Sequence, residues 1–172
     1  IYPLNVGNLL SMSTLDVIMK SQKKGKSLSD SNSVGKGKGL FAAGRYQIIG
    51  KTLKMCVQGM KIEGQESSIV YDKETQDAMA AWLILGPTKR PLLGGYFLGK
   101  YGSDDDEESL KMAAHAIAEE WAAFPSMYTY KRGKNYVQAG ESVYKGLAGN
   151  DAKISIAELR IELPMWRNMF QQ

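Results

Sequence analysis

Apolar positions recur at helical spacing along much of the chain, and they predict a succession of short helices. Ser13 stands before Thr14-Leu15-Asp16-Val17-Ile18-Met19, with Asp16 three residues on, which is a capped helix start that should run to about Gln22. Leu53, Val57 and Met60, with Met55 and Cys56 beside them, predict a helix over Thr52 to Met60, its exit bracketed by Gly59 and Gly64. An amphipathic helix is expected from Lys73 to Leu85, carrying Ala78, Met79, Ala81, Trp82 and Leu85, and stopped by Gly86-Pro87. Residues 88 to 100 read as another short helix, in which Gly94 and Gly95 allow tight helix contact. Ser103 before Asp104-Asp105-Asp106-Glu107-Glu108 marks a helix N-terminus, its acids set against the positive end of the dipole rather than against a metal. That helix should continue to Pro125.

Between these windows the pattern changes. Residues 1 to 12 have turn composition, and residues 23 to 39, rich in Lys, Ser and Gly, read as a flexible loop or a weak hairpin. Leu40 to Ala43, between Gly39 and Gly44, show no strict alternation and read as a buried turn rather than a half-exposed strand. Ser126 to Gly133 forms an aromatic and basic loop; a short helix is expected around Tyr136 to Lys145. Ser155 caps a last helix, which Pro164 should bend or break. The whole reads as one mainly α-helical domain.

At 172 residues, with 44% hydrophobic and 23% charged positions, the chain suits one domain with a real core and is short for two. No apolar run approaches a membrane span, so no membrane insertion is expected. Ile1-Tyr2-Pro3-Leu4 does not resemble a signal peptide, and the chain reads as an excised piece of something longer. Cys56 stands alone in an apolar stretch and is read as a core residue; His115, the only histidine, is read as a packed or surface side chain. One Cys and one His do not make a conventional zinc site, and no cofactor is expected. The net charge of +4 is concentrated early, since Asp16 and Asp30 are the only acids before Glu63. This suits an anionic partner such as a cell-wall polymer or an acidic inhibitor protein. Nucleic acid is set aside because no binding motif accompanies the charge. A solvated lysine-rich loop explains the same residues.

The stretch Gly39 to Leu53 carries the candidate chemistry. Gly39 and Gly44 permit close approach or unusual backbone angles. Arg45 is a fixed cation with a fork of donors, Tyr46 a flat ring with a hydroxyl, and Gln47 an amide that both donates and accepts. On residue types alone these side chains either contact a sugar or peptide, or simply pack and pair at a domain surface.

Gly44-Arg45-Tyr46-Gln47-Ile48-Ile49, followed by Lys51-Thr52-Leu53, resembles a segment of the lysozyme-like peptidoglycan hydrolases of phage endolysins, also found as antibacterial effectors delivered by type VI secretion. Ser11 to Met19, Ala118 to Pro125, and Tyr144-Lys145-Gly146-Leu147-Ala148-Gly149-Asn150-Asp151-Ala152 are similar to further family stretches, in the same order over about residues 5 to 163. The resemblance implies an α+β lysozyme-like fold, a helical domain with a small loop or hairpin region lining a glycan cleft. It implies a glycoside hydrolase acting on peptidoglycan in the periplasm or cell wall, an N-acetylmuramidase cutting the MurNAc-β-1,4-GlcNAc link. A lytic transglycosylase, or a wall-binding module that lacks the general acid, are the alternatives. An immunity protein would be a partner if the chain is an effector. Asn5, Arg45, Tyr46, Gln47, Tyr144 and Asn150 become the substrate-binding candidates. The family's general acid, a Glu ending the first long helix, is expected upstream of Ile1; Asp30, otherwise a turn former, is the one catalytic candidate within the chain.

Overall fold

The computed structural model describes residues 5–22, 25–29, 33–35, 39–86, 90–101, 106–146 and 150–172. Two compact units divide at Leu83 and Ile84, and each is described by itself. Together they hold six α-helices and three small sheets among the described residues, a mixed α and β architecture.

The first unit begins with β1 (Asn5–Asn8), a 3-10 turn at Leu9–Ser11, and α1 (Thr14–Ser21). Ser13 caps α1 as its sequence predicts: the Asp16 amide donates to Ser13 Oγ at 3.2 Å. The next two free amides of that helix end are used as well, Thr14 donating to the Ile69 carbonyl at 2.7 Å and Leu15 to the Glu66 carbonyl at 2.9 Å. Next come β2 (Gly25–Leu28), β3 (Ser33–Gly35), β4 (Gly39–Ala43) and β5 (Ile48–Ile49). β1 pairs antiparallel with β3, while β4 lies between a parallel β2 and an antiparallel β5. Thus residues 23 to 39 contribute strands to two separate sheets, and neither the loop nor the hairpin expectation holds. Gly39 to Ala43 is a strand and not a buried turn. It lacks alternation because Leu40, Ala42 and Ala43 are all buried, so only Phe41 is left exposed.

α2 (Gly50–Gly59) follows β5 directly and α3 (Lys73–Leu85) has the predicted limits. The buried residues of α3 are Gln76, Met79, Ala80 and Leu83. This corrects the expected face, for Ala78 and Ala81 are exposed. α1, α2 and β4 pack on one another around Leu9, Val17, Leu53 and Cys56, each fully buried. Burying a side chain such as Leu53 contributes about 1.5–3 kcal/mol. Close approach is required at Gly59, where a Cβ would lie 1.8 Å from the Trp82 ring.

The second unit is built on α4 (Pro91–Phe97), α5 (Glu107–Glu120) and, after the hairpin β6 (Tyr130–Arg132) and β7 (Asn135–Val137), α6 (Ile156–Phe170). The three helices close on Leu93, Tyr96, Phe97, Leu110, Ala113, Ile117, Leu159 and Leu163. The Arg167 guanidinium is buried over the Tyr96 ring, 4.8 Å from its centroid. The cap of α5 is Asp106, which accepts from the Glu108 and Ser109 amides at 3.2 and 3.4 Å; Ser103 lies outside the described residues. α5 ends at Glu120, and Trp121 caps it well before Pro125.

Where a helix around Tyr136 to Lys145 was expected, β7 and a series of turns stand. Ser155 and Glu158 form a reciprocal capping box at the start of α6, and α6 continues through Pro164 to Phe170 without a break. The carbonyl that loses its helical donor to Pro164 belongs to Arg160, an exposed residue.

Candidate functional site

β4 delivers the chain into a tight turn whose geometry decides what its side chains can do. Gly44 has φ 78° and Gln47 has φ 50°, the latter a left-handed conformation rare outside glycine. The turn is clipped from within. The Gly44 amide donates to the Leu28 carbonyl at 3.0 Å, and Gln47 Nε2 donates to the Leu28 and Gly44 carbonyls at 3.1 and 2.7 Å. Both amide hydrogens of Gln47 are therefore spent on backbone, and the side chain holds the turn that displays its neighbours.

Those neighbours are anchored on two adjacent residues of α3. The buried amide of Gln76 accepts from the Arg45 backbone N–H at 2.9 Å and donates to the Tyr71 carbonyl at 3.2 Å. Asp77, one position on and exposed, accepts from Arg45 Nη1 at 3.0 and 3.3 Å and from the Tyr46 hydroxyl at 2.8 Å. The Arg45 guanidinium also lies over the Tyr46 ring, 5.8 Å from its centroid. The Tyr46 hydroxyl bond and the Arg45 bond hold the Asp77 carboxyl below its ordinary range. Burial, followed by the hydrogen bond and charge of Asp77, raises Tyr46 above the usual phenol range. The cluster is thus an ionised carboxylate, a neutral phenol and a cation, fixed relative to one another. It can orient a polar ligand over an aromatic face, but it holds no proton at a carboxyl to give away.

No family model, characterised protein or solved structure matches the chain. What the site does therefore rests on its own chemistry.

Of the remaining predicted site residues, Asn5 lies in β1 opposite Gly35, and Asp30 lies outside the described residues. Tyr144 and Asn150 belong to the second unit. There the Tyr144 hydroxyl donates to the Glu119 carbonyl, and the Arg132 guanidinium sits over its ring, 4.5 Å from the centroid. Asn150 is half-buried. Arg45, Tyr46 and Gln47 are brought together as a group with Gln76 and Asp77. The last two are the residues that sequence reasoning missed. The signal was present in α3, where a glutamine holds the first place of the buried 76, 79, 80, 83 row and an aspartate follows it.

In the second unit, Arg90 bridges Glu119 at 2.7 Å and Glu120 at 3.3 Å, so the paired glutamates act as acceptors for one cation. His115 is packed rather than exposed. Tyr128 and Tyr130 meet it edge to face with centroids 5.2 Å away in each case, and Nδ1 stands 3.4 Å from Ser126 Oγ. Cys56 is fully buried in the first unit, its Sγ 4.0 Å from the Met79 carbonyl. Among the described residues no helix is long and apolar enough to cross a membrane, and no group of three or more acidic, His or Cys side chains is placed to hold a metal.

Proposed function

We propose that this chain is the glycan-holding part of a lysozyme-like peptidoglycan hydrolase, an N-acetylmuramidase acting on MurNAc-β-1,4-GlcNAc strands of the bacterial wall. The observation that carries the reading is the Arg45 and Tyr46 pair, displayed on a clipped turn and locked by Asp77. A sugar ring offers an apolar face to stack on an aromatic and a rim of hydroxyls for charged and amide groups, which is the chemistry this pair supplies. Preorganisation matters because a side chain already fixed loses little freedom when the ligand arrives.

Cleavage needs a carboxylic acid kept protonated by partial burial. Asp77 does not meet that need, since its partners favour the ionised form. In this reading it is a positioning residue, and the acid is another group. That same observation gives one competing reading its support: a wall-binding module that keeps the glycan contacts and performs no chemistry.

The deciding experiment measures muropeptide release and pelleting with purified peptidoglycan, for this chain and for one extended upstream of Ile1. Release by the extended chain, weakened by Tyr46→Ala, supports the hydrolase. Pelleting without release by either chain supports the binding module, and no pelleting by either sinks both.

A further inference from the structure

The first unit carries a groove of about 300 Å³ lined by α1, α2 and the loop after α2. Its apolar wall is Leu15, Ile18, Met19 and Val57; Leu15 and Met19 are 38% and 57% exposed, although both are large apolar side chains. Glu63 and Glu66 stand on the same lining, and neither carboxylate has a hydrogen bond or ion pair among the described residues. An apolar trough edged by uncommitted carboxylates suits one ligand chemistry above others: an alkyl chain that ends in a primary ammonium. Lys54, on the same lining, offers a cation for a carboxylate of that same ligand. At about 300 Å³ the groove is at the small end of ligand sites, a volume that suits one long side chain.

We propose that this groove takes the diamino-acid residue of a peptidoglycan peptide stem. Its methylenes lie over Leu15, Ile18, Met19 and Val57, its ammonium meets Glu63 and Glu66, and its carboxylate faces Lys54. The proposal rests on reading the chain as a peptidoglycan protein, and it adds the peptide to the glycan as part of what is recognised. The groove is built in part on α2, which β5 joins to the Tyr46 turn. That helix starts at Gly50, directly after β5, and Val57 lies about 10 Å further along its axis.

The test is calorimetric titration of the full 172-residue chain with three probes: an acetylated Ala-γ-D-Glu-Lys stem peptide, its ε-N-acetylated form, and glycan strands stripped of peptide. The lysine stem is expected to bind at least about tenfold more tightly than the ε-acetylated one, the loss of one charge-assisted contact. The Glu63→Gln/Glu66→Gln variant should lose that preference while holding stripped glycan as before, which also reports that it is folded. Equal affinity for the two peptides, or a preference that survives in the variant, overturns the groove assignment. Stripped glycan that binds while neither peptide does also overturns it, leaving the glycan reading intact. Lysine-stem binding without glycan binding keeps the groove as an amine site and fails the glycan reading.

Discussion

The Tyr46 hydroxyl donates to Asp77 Oδ1 at 2.8 Å, across thirty-one residues of sequence, and the same carboxylate accepts from Arg45. One acid thereby sets the orientation of both side chains that the proposed function uses. Tyr46→Phe and Asp77→Ala should each weaken binding to peptide-free glycan strands about three- to tenfold. Because Asp77→Ala also removes the contact that Tyr46→Phe removes, the double variant should be no weaker than Asp77→Ala alone. Titration of the four proteins checks this, and additive losses would show that the two residues act separately.

Gln76 has a different task, since it satisfies two backbone groups from a fully buried position. Gln76→Leu keeps the bulk but leaves the Arg45 N–H and the Tyr71 carbonyl without that partner. The expected cost is about 2–4 kcal/mol, read from urea unfolding. A loss below about 1 kcal/mol would mean that the turn is held from elsewhere.

The hydroxyl of Thr14 is buried at the start of α1 with no hydrogen-bond partner among the described residues. Thr14→Val replaces it with a methyl of nearly the same shape and removes an uncompensated polar group. A gain of up to about 1 kcal/mol is expected. Destabilisation on unfolding of the variant would show that the hydroxyl is satisfied after all.

Local chemistry was legible in the sequence, and contacts between distant segments were not. The Ser13 and Ser155 caps and the limits of α3 depend on neighbours within a few residues, so pattern alone finds them. The strand Gly39–Ala43 was hidden because burial on both faces erases the alternation that marks a strand. The acidic run before α5 offers several equivalent caps, and choosing Asp106 over Ser103 takes the folded context. Tyr136 to Val137 forms a strand because Tyr130 to Arg132 pairs with it across the Gly133 turn, which local propensity does not reveal. For the site, Arg45, Tyr46 and Gln47 stood out by residue type. Their anchors on α3 did not, since no spacing rule joins positions 45 and 77.

His115 offers a pH test, and as the only histidine it can be assigned without ambiguity. Burial among Tyr128, Tyr130 and Ser126 lowers its pKa; the charge of Glu119 opposes that shift and Arg90 adds to it. The folded chain therefore binds a proton less readily than the unfolded chain, whose histidine titrates near about 6.5. Stability from the neutral imidazole is complete above that value and declines as pH falls from it toward the folded pKa. Urea midpoints should drop between pH 7 and pH 5 in the parent chain and drop less in His115→Gln. Glu119→Gln removes the opposing carboxylate, depresses the imidazole pKa further and should steepen the decline. Equal slopes in all three proteins would show that the buried imidazole does not govern stability in this range.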